Sequence, residues 1–328
     1  MSTPVSTGPV YLRSFLAPLV GVLARADVTD VYVNRPHEIW VETLAGTTER
    51  HEAPALDTVT LDRLVRQIAA LAAQGISREH PILSASLPDG ARVQVVIPPA
   101  TRGTIAVAIR KHVTQGLRLQ DYVADGAFAQ AAARRDNVDA RLAALLDARD
   151  HGTLLATAVR ARRNILVSGG TSTGKTTFLN ALIAEIPDSE RLILIEDTPE
   201  LQVGQPNHIG LLAARSALGE AAVTAEDLLT ASLRMRPDRI ILGELRGAEA
   251  FSFLRAVNTG HPGSMTTIHA DSPAGAVEQL ALLVLQSGAR LTHGDVVRYV
   301  RNTIDVYVQL GRIGGRRFVS EVALKARD

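Results

Sequence analysis

The chain has 328 residues, which at roughly 100 to 200 residues per domain makes room for about two domains, each able to bury its own core. Its 35 Lys plus Arg and 34 Asp plus Glu are evenly dealt, 16 of each over residues 1–150 and 19 against 18 over 151–328, so no global field or basic tail draws in nucleic acid or anionic lipid. The absence of Cys excludes disulfide staples, thiolate zinc modules and cysteine nucleophiles and fits a reducing compartment, the 12 aromatic residues are few for a base-stacking surface, and no uncharged apolar run reaches the roughly 18 residues of a membrane span.

Near the N-terminus Phe15, Leu16, Leu19, Val20, Val22 and Leu23 recur at helical spacing, and Pro18 sits where a first turn tolerates it, which predicts a docking helix. Arg13 before this stretch and Ala24-Arg25-Ala26 after it give it a weak likeness to a secretory signal, but the helical spacing describes it better. Val31 to Val33 and Glu38 to Val41, joined around Asn34-Arg35-Pro36-His37, predict a β-hairpin. Thr60 is placed to cap a helix with Leu61, Leu64, Val65, Ile68 and Leu71 on one face, and Gly75 to end it. Three further strands follow at Leu83 to Leu87, Arg92 to Ile97 and Thr104 to Arg110, separated by Pro88-Asp89-Gly90 and by Pro98-Pro99 through Gly103. Strands without a repeated βα unit make residues 1–112 an α+β domain.

Residues 113–150 turn rich in Ala, Arg and Asp, centred on Ala131-Ala132-Ala133-Arg134-Arg135-Asp136, and read as a helical linker. Over 151–328 the pattern changes to four strongly apolar strands, Asn164 to Ser168, Leu192 to Ile195, Arg239 to Leu242 and Met265 to Ile268, with helices between them. Thr224 to Asp227 form a capping box before Leu228 to Met235, and Ser272-Pro273 open a helix running to Gly288. Alternation of this kind predicts a mostly parallel sheet whose ligands bind at the carboxyl ends of its strands.

Gly169-Gly170-Thr171-Ser172-Thr173-Gly174-Lys175-Thr176 fits G-x-x-x-x-G-K-[ST] and stands between a predicted strand and a predicted helix, the setting a phosphate-binding loop requires. Glycines let backbone N–H groups close round a polyphosphate, Lys175 reaches its β and γ phosphates, and the Thr176 hydroxyl can ligate Mg²⁺. Of the 35 cations only Lys111, Lys175 and Lys325 are Lys, so a chain that otherwise uses Arg puts a compact ammonium where a guanidinium fork would fit poorly. The other strands end in Glu196-Asp197 with Glu200 nearby, in Gly243-Glu244, and in His269. Any one of these acids alone can be a helix-capping carboxylate; delivered together to one edge they suit Mg²⁺ ligation, water orientation and γ-phosphate sensing. His261, between Gly260 and Pro262, is equally well read as a turn-shaping residue.

The phosphate loop Gly169 to Thr177, the segment Leu194-Ile195-Glu196-Asp197-Thr198-Pro199-Glu200-Leu201, the segment Arg236-Pro237-Asp238-Arg239-Ile240-Ile241-Leu242-Gly243-Glu244-Leu245-Arg246, and Thr259-Gly260-His261 through His269 resemble, in order and spacing, the four boxes of the secretion-ATPase superfamily. The fit is best to the hexameric traffic ATPases of type IV secretion and conjugation systems, and it extends into the N-terminal half through Val28-Thr29-Asp30-Val31 and Asp89-Gly90-Ala91-Arg92-Val93-Gln94-Val95. Type II secretion relatives commonly carry a four-cysteine metal module that this chain cannot build, which sets that branch aside.

The resemblance implies a RecA-like P-loop ATPase domain joined to the smaller α+β domain, with ATP and Mg²⁺ as ligands. It implies that Glu196 activates water, that Glu244 acts through Mg²⁺ or that water, that His269 senses the γ-phosphate, and that Arg92 and Arg110 reach the nucleotide from the N-terminal domain. Arginines on alternating strands are also common as a solvated face, and Arg102 is a rival for either role. It further implies a hexameric ring, cytoplasmic and held at the inner face of the inner membrane through other secretion ATPases and inner-membrane components, with no stable nucleic-acid binding. A nucleic-acid-stimulated RecA-like motor and a nucleotide-gated scaffold of low turnover are the alternatives from other functional classes.

Overall fold

The computed structural model describes residues 8–113, 118–124, 126, 128, 138–214 and 220–325. Its first part runs α1 (Gly8–Leu23), β1 (Val28–Val33), β2 (Glu38–Thr43), β3 (Thr48–Glu52), α2 (Thr58–Leu71), β4 (Ile82–Ser86), β5 (Arg92–Val96) and β6 (Ala106–Arg110). Helices α3 (Leu119–Ala124), α4 (Val138–Asp147) and α5 (His151–Arg160) follow. Then come β7 (Ile165–Gly169), α6 (Lys175–Ile183), β8 (Leu192–Glu196), β9 (His208–Leu212), α7 (Ala225–Ser232), β10 (Arg239–Leu242), α8 (Glu249–Asn258), β11 (Met265–Ile268), α9 (Pro273–Gln286), α10 (His293–Thr303), β12 (Val306–Ile313) and β13 (Arg316–Leu324). The architecture is mixed α/β with two sheets. The centre of the expected linker, Ala131 to Asp136, lies outside the described residues.

The first sheet is antiparallel, in the order β3-β2-β1-β6-β5-β4. Both α1 and α2 pack on it, with Leu12 and Leu19 of α1 and Leu61, Leu64, Val65 and Ile68 of α2 buried in one cluster with Val31, Val93 and Val107. Helix α1 begins at Gly8, so Pro18 lies in its interior rather than in a first turn; the hydrogen bond its missing N–H forfeits is offset by the buried face. The cap of α2 is Asp57, whose Oδ1 accepts from Thr60 N at 2.7 Å, and not Thr60: a carboxylate facing the helix N-terminus caps more strongly than a hydroxyl one turn later. The helix ends at Leu71, before Gly75, because Ala73 takes the left-handed conformation. Strand β3, Thr-Glu-Arg-His-Glu, is an exposed edge whose charged residues carry no apolar alternation.

The second sheet has the order β13-β12-β7-β11-β10-β8-β9 and is parallel except for β13. The four anticipated strands occupy its centre and are buried along their length, as strands covered on both faces must be. The anticipated capping box at Thr224 and Asp227 and the Ser272 cap with Pro273 at the first turn are present. Strands β12 and β13 form a hairpin over Gly314 and Gly315, whose φ of 56° and 83° match the two-residue turn that right-twisted strands prefer.

A polar seam joins the sheets. Arg191, fully buried ahead of β8, stacks 3.9 Å from the centre of the Tyr32 ring of β1 and donates through Nη1 to Asn34 Oδ1 at 2.8 Å and Asn207 Oδ1 at 2.6 Å. Burial lowers the pKa of its guanidinium to about 10. Tyr32 donates to Glu42 Oε2 at 2.8 Å, and Arg236 Nη2 to Glu42 Oε1 at 2.7 Å. At a second crossing the backbone of Thr101 and Arg102 pairs with β9. Among the described residues no helix is long and apolar enough to cross a membrane.

Candidate active site

Because β7, β11, β10 and β8 are parallel neighbours, their carboxyl ends share one edge, and the loops that leave them enclose a cleft of about 480 Å³. The four sequence segments singled out for phosphate chemistry all reach it: residues Gly170 to Thr177, Glu196, Glu244 and His269 line its walls. Gly169, the last residue of β7, approaches so closely that a Cβ there would meet Thr173 Oγ1 at 2.5 Å. Thr173 folds back over the loop and donates to Gly170 O at 2.8 Å. Gly174 is the N-cap of α6 at φ 91°, a conformation that favours glycine, and the free N–H groups of the first helical turn face the loop.

Lys175 Nζ donates to Gly169 O at 3.0 Å and lies 3.2 Å from His269 Nδ1 and 3.7 Å from Glu244 Oε1. Burial lowers its pKa, while the Glu244 carboxylate opposes that shift. Glu244 Oε1 also sits 2.9 Å from His269 Nε2, but this buried oxygen has no hydrogen bond among the described residues; Oε2 is taken by Arg246. Glu196, buried at the end of β8, accepts through Oε1 from Glu200 N at 2.9 Å and Leu201 N at 2.7 Å. Its Oε2 contacts the Arg102 guanidinium.

Arg102 thus arrives from the first sheet. Its Nη1 donates to Leu201 O at 2.8 Å, and burial lowers its pKa. Its side chain passes over Gly210, where a Cβ would meet Arg102 Cδ at 2.4 Å. Arg92 and Arg110 lie directly opposite one another on β5 and β6, exposed and outside the cleft of their own chain. His261 is at the other end of the strands, its Nδ1–H donating to Pro237 O at 2.8 Å, which is a turn-shaping role. Sequence reasoning missed Arg317, which lines the cleft from β13 and donates through Nε to Ser172 O at 3.2 Å. The Gly314-Gly315 pair between two alternating runs is the signal that would have found its hairpin.

The type II/IV secretion system protein family matches residues 14–310. The type IV secretion system protein VirB11 of Bartonella quintana is 38% identical over 324 residues, covering 94% of this chain and 91% of its own length. VirB11 of Brucella suis biovar 1 is 41% identical over 319 residues, covering 94% of this chain and 88% of its own. The crystal structure of the VirB11 ATPase from the Brucella suis type IV secretion system in complex with sulphate superposes with a TM-score of 0.90 at 39% identity, covering 97% of this chain and 95% of that one. With its four boxes on one sheet edge and a family match over most of its length, the chain belongs to the type II/IV secretion system protein family.

Proposed function

We propose that the chain is the Mg²⁺-dependent ATPase motor subunit of a type IV secretion or conjugation apparatus, working with the other subunits of that machine, its second sheet forming a RecA-like P-loop domain. The observation that carries this reading is the convergence of Lys175, Glu196, Glu244 and His269, from four adjacent parallel strand ends, on a glycine-lined anion cradle. That edge supplies both halves of phosphoanhydride hydrolysis, fixed positive potential for the polyphosphate and carboxylates for the water.

The donor set suits a hard cation. Glu244 Oε1 is a buried carboxylate oxygen without a hydrogen bond among the described residues, and Thr176 opens onto the same cleft, so these two would hold Mg²⁺. The ion supplies charge neutralisation at the β and γ phosphates. Lys175 binds those phosphates once it leaves Gly169 O. Glu196 is held at Oε1 by two backbone N–H groups and at Oε2 by Arg102, which sets that carboxylate's position from the first sheet, and Oε2 orients water once Arg102 withdraws from it. His269 touches both Lys175 and Glu244, as a sensor of phosphate loss would.

The paired Arg92 and Arg110 repel one another unless an anion lies between them, which suits a second subunit's nucleotide in a ring. Residues 1–112, 113–150 and 151–328 would then act as nucleotide-capping domain, helical linker and ATPase domain. The ring would be a hexamer in the cytoplasm, held at the inner face of the inner membrane by protein partners and without stable nucleic-acid binding. Glu196→Gln is expected to lower turnover about a hundredfold with nucleotide affinity kept, measured by phosphate release beside equilibrium binding. Light scattering with Mg²⁺ and nucleotide is expected to show a species of six times the monomer mass, and a lone monomer peak would contradict the ring.

A further inference from the structure

The end of β7 and the loop that carries His269 are tied together by a side chain from a third strand. Gln309 of β12 is buried, its partner in register on β7 is Ser168, and Ser168 in turn pairs with Ile268 of β11. The strand order is β12-β7-β11, so a β12 side chain that reaches the loop after β11 must cross β7. Gln309 does so. Its Oε1 accepts from Ser168 Oγ at 2.5 Å, and its Nε2 donates to Ala270 O at 3.2 Å, with Leu310 O at the same distance. Ser168 directly precedes Gly169, whose carbonyl oxygen accepts from Lys175, and Ala270 directly follows His269. Residues two apart on a strand share a face, which places Gln309 with Tyr307, and Ser168 with Leu166, on the face that also buries Ile268, Ala276 and Val277. An apolar pair at 168 and 309 would pack there without the cost of burying two polar side chains. The β12–β13 ladder also breaks at this point. Its register shifts between Gln309 and Leu310, leaving Ser320 as the extra residue of β13, and the Ser320 hydroxyl donates to Gln309 O at 3.1 Å. Such a bulge re-aims the side chains beside it.

We infer that Gln309 is a positioning residue, a buried strap that fixes the backbone of the His269 loop against the strand feeding the phosphate loop, so that His269 keeps its place between Lys175 and Glu244. It rests on the ATPase reading above, with His269 as its sensor, and adds the residue that sets the sensor's position. Gln309 does not line the phosphate cleft, so its loss should act on turnover and leave nucleotide binding alone. The two ends of the strap differ in chemistry: Ser168 supplies a proton and Ala270 O takes one. A side-chain amide serves both. A glutamate at 309 serves both only while protonated, because its carboxylate would set a second acceptor against Ala270 O.

The test compares the full chain as wild type, Gln309→Leu, Gln309→Glu, His269→Ala and the His269→Ala/Gln309→Leu double variant, by phosphate release, equilibrium ATP binding and amide hydrogen exchange. Gln309→Leu should release phosphate about tenfold more slowly and bind ATP within about twofold of wild type. Exchange in the peptide covering 269–272 should speed up by about tenfold, with β7 and β11 still protected. In the His269→Ala background the same substitution should change the rate by less than about twofold, since a strap that acts through His269 has nothing left to position. The rate of Gln309→Glu relative to wild type should rise as the pH falls from about 9 to about 6, where its buried carboxyl takes up a proton. An unchanged rate in Gln309→Leu would overturn the inference, as would a full tenfold loss in the His269→Ala background. Faster exchange spread equally over β7 and β11 would also overturn it, by marking a merely structural role. If Gln309→Leu does not fold, Gln309→Glu decides, and a rate ratio that stays low at every pH counts against the strap. A wild type that releases no phosphate would sink the ATPase reading itself, and exchange at 269–272 would still decide whether Gln309 holds that loop.

Discussion

Replacing Lys175 with Ala is expected to lower ATP turnover by a hundredfold or more, roughly what loss of a charge-stabilising donor costs a reaction that builds negative charge. Nucleotide binding should weaken by about tenfold or more, the worth of a charge-assisted hydrogen bond. The fold should survive, because Lys175 bonds mainly to the carbonyl oxygen of its own loop, and Glu244 keeps Arg246 and His269 beside it. Lys175→Arg should also fail: the site offers a point-charge position between Gly169 O and His269, and a planar fork cannot occupy it without displacing the loop. Phosphate release, with circular dichroism as the check on folding, decides this.

The second large effect concerns stability and lies at the opposite edge of the same sheet. Arg239, fully buried at the start of β10, grips Glu190 with two bonds of 2.7 Å, from Nε and Nη2, and donates through Nη1 to Val159 O at 2.8 Å. Gly263 leaves room for it, since a Cβ there would meet Arg239 Nη1 at 2.6 Å. Arg239→Ala strands a buried Glu190 carboxylate, with only Arg162 at 3.2 Å as a remaining partner among the described residues, and should cost about 3–5 kcal/mol. Replacing both partners by apolar side chains, Arg239→Met with Glu190→Leu, should recover most of that loss, because no charge is then left buried without its counter-ion. Urea denaturation checks both. Turnover of the folded protein in the cold should change little, since Arg239 enters β10 at the end away from the cleft.

These two cases show what a sequence carries and what it does not. The cleft was legible because its parts are local: a glycine-rich loop, and polar residues that each directly follow an apolar strand. Parallel pairing then places them on one edge whatever the strand order. Arg102 and Arg317 were hard to place because their roles depend on crossings between distant segments, Arg102 over Gly210 and Arg317 over Gly174. Strand β3 holds no apolar residue, and β9 is five residues long with Leu211 and Leu212 side by side, so neither edge strand shows in its sequence the period-two apolar alternation that would single it out. The Arg239 pair is likewise silent in sequence. An arginine opening an apolar strand reads as a surface residue until its carboxylate, 49 positions earlier, is known to sit beside it.

The central claim is that carboxylates on the strand edge perform hydrolysis on a nucleotide that the phosphate loop holds. The direct measurement is phosphate release and nucleotide affinity determined side by side for wild type and Glu244→Gln in the presence of Mg²⁺. Wild type should turn over, and Glu244→Gln should bind nucleotide within a few-fold of wild type while losing about a hundredfold or more in rate. Equal rates in the two proteins would contradict the account; equal rates near zero would make the chain a nucleotide-gated scaffold instead of a motor.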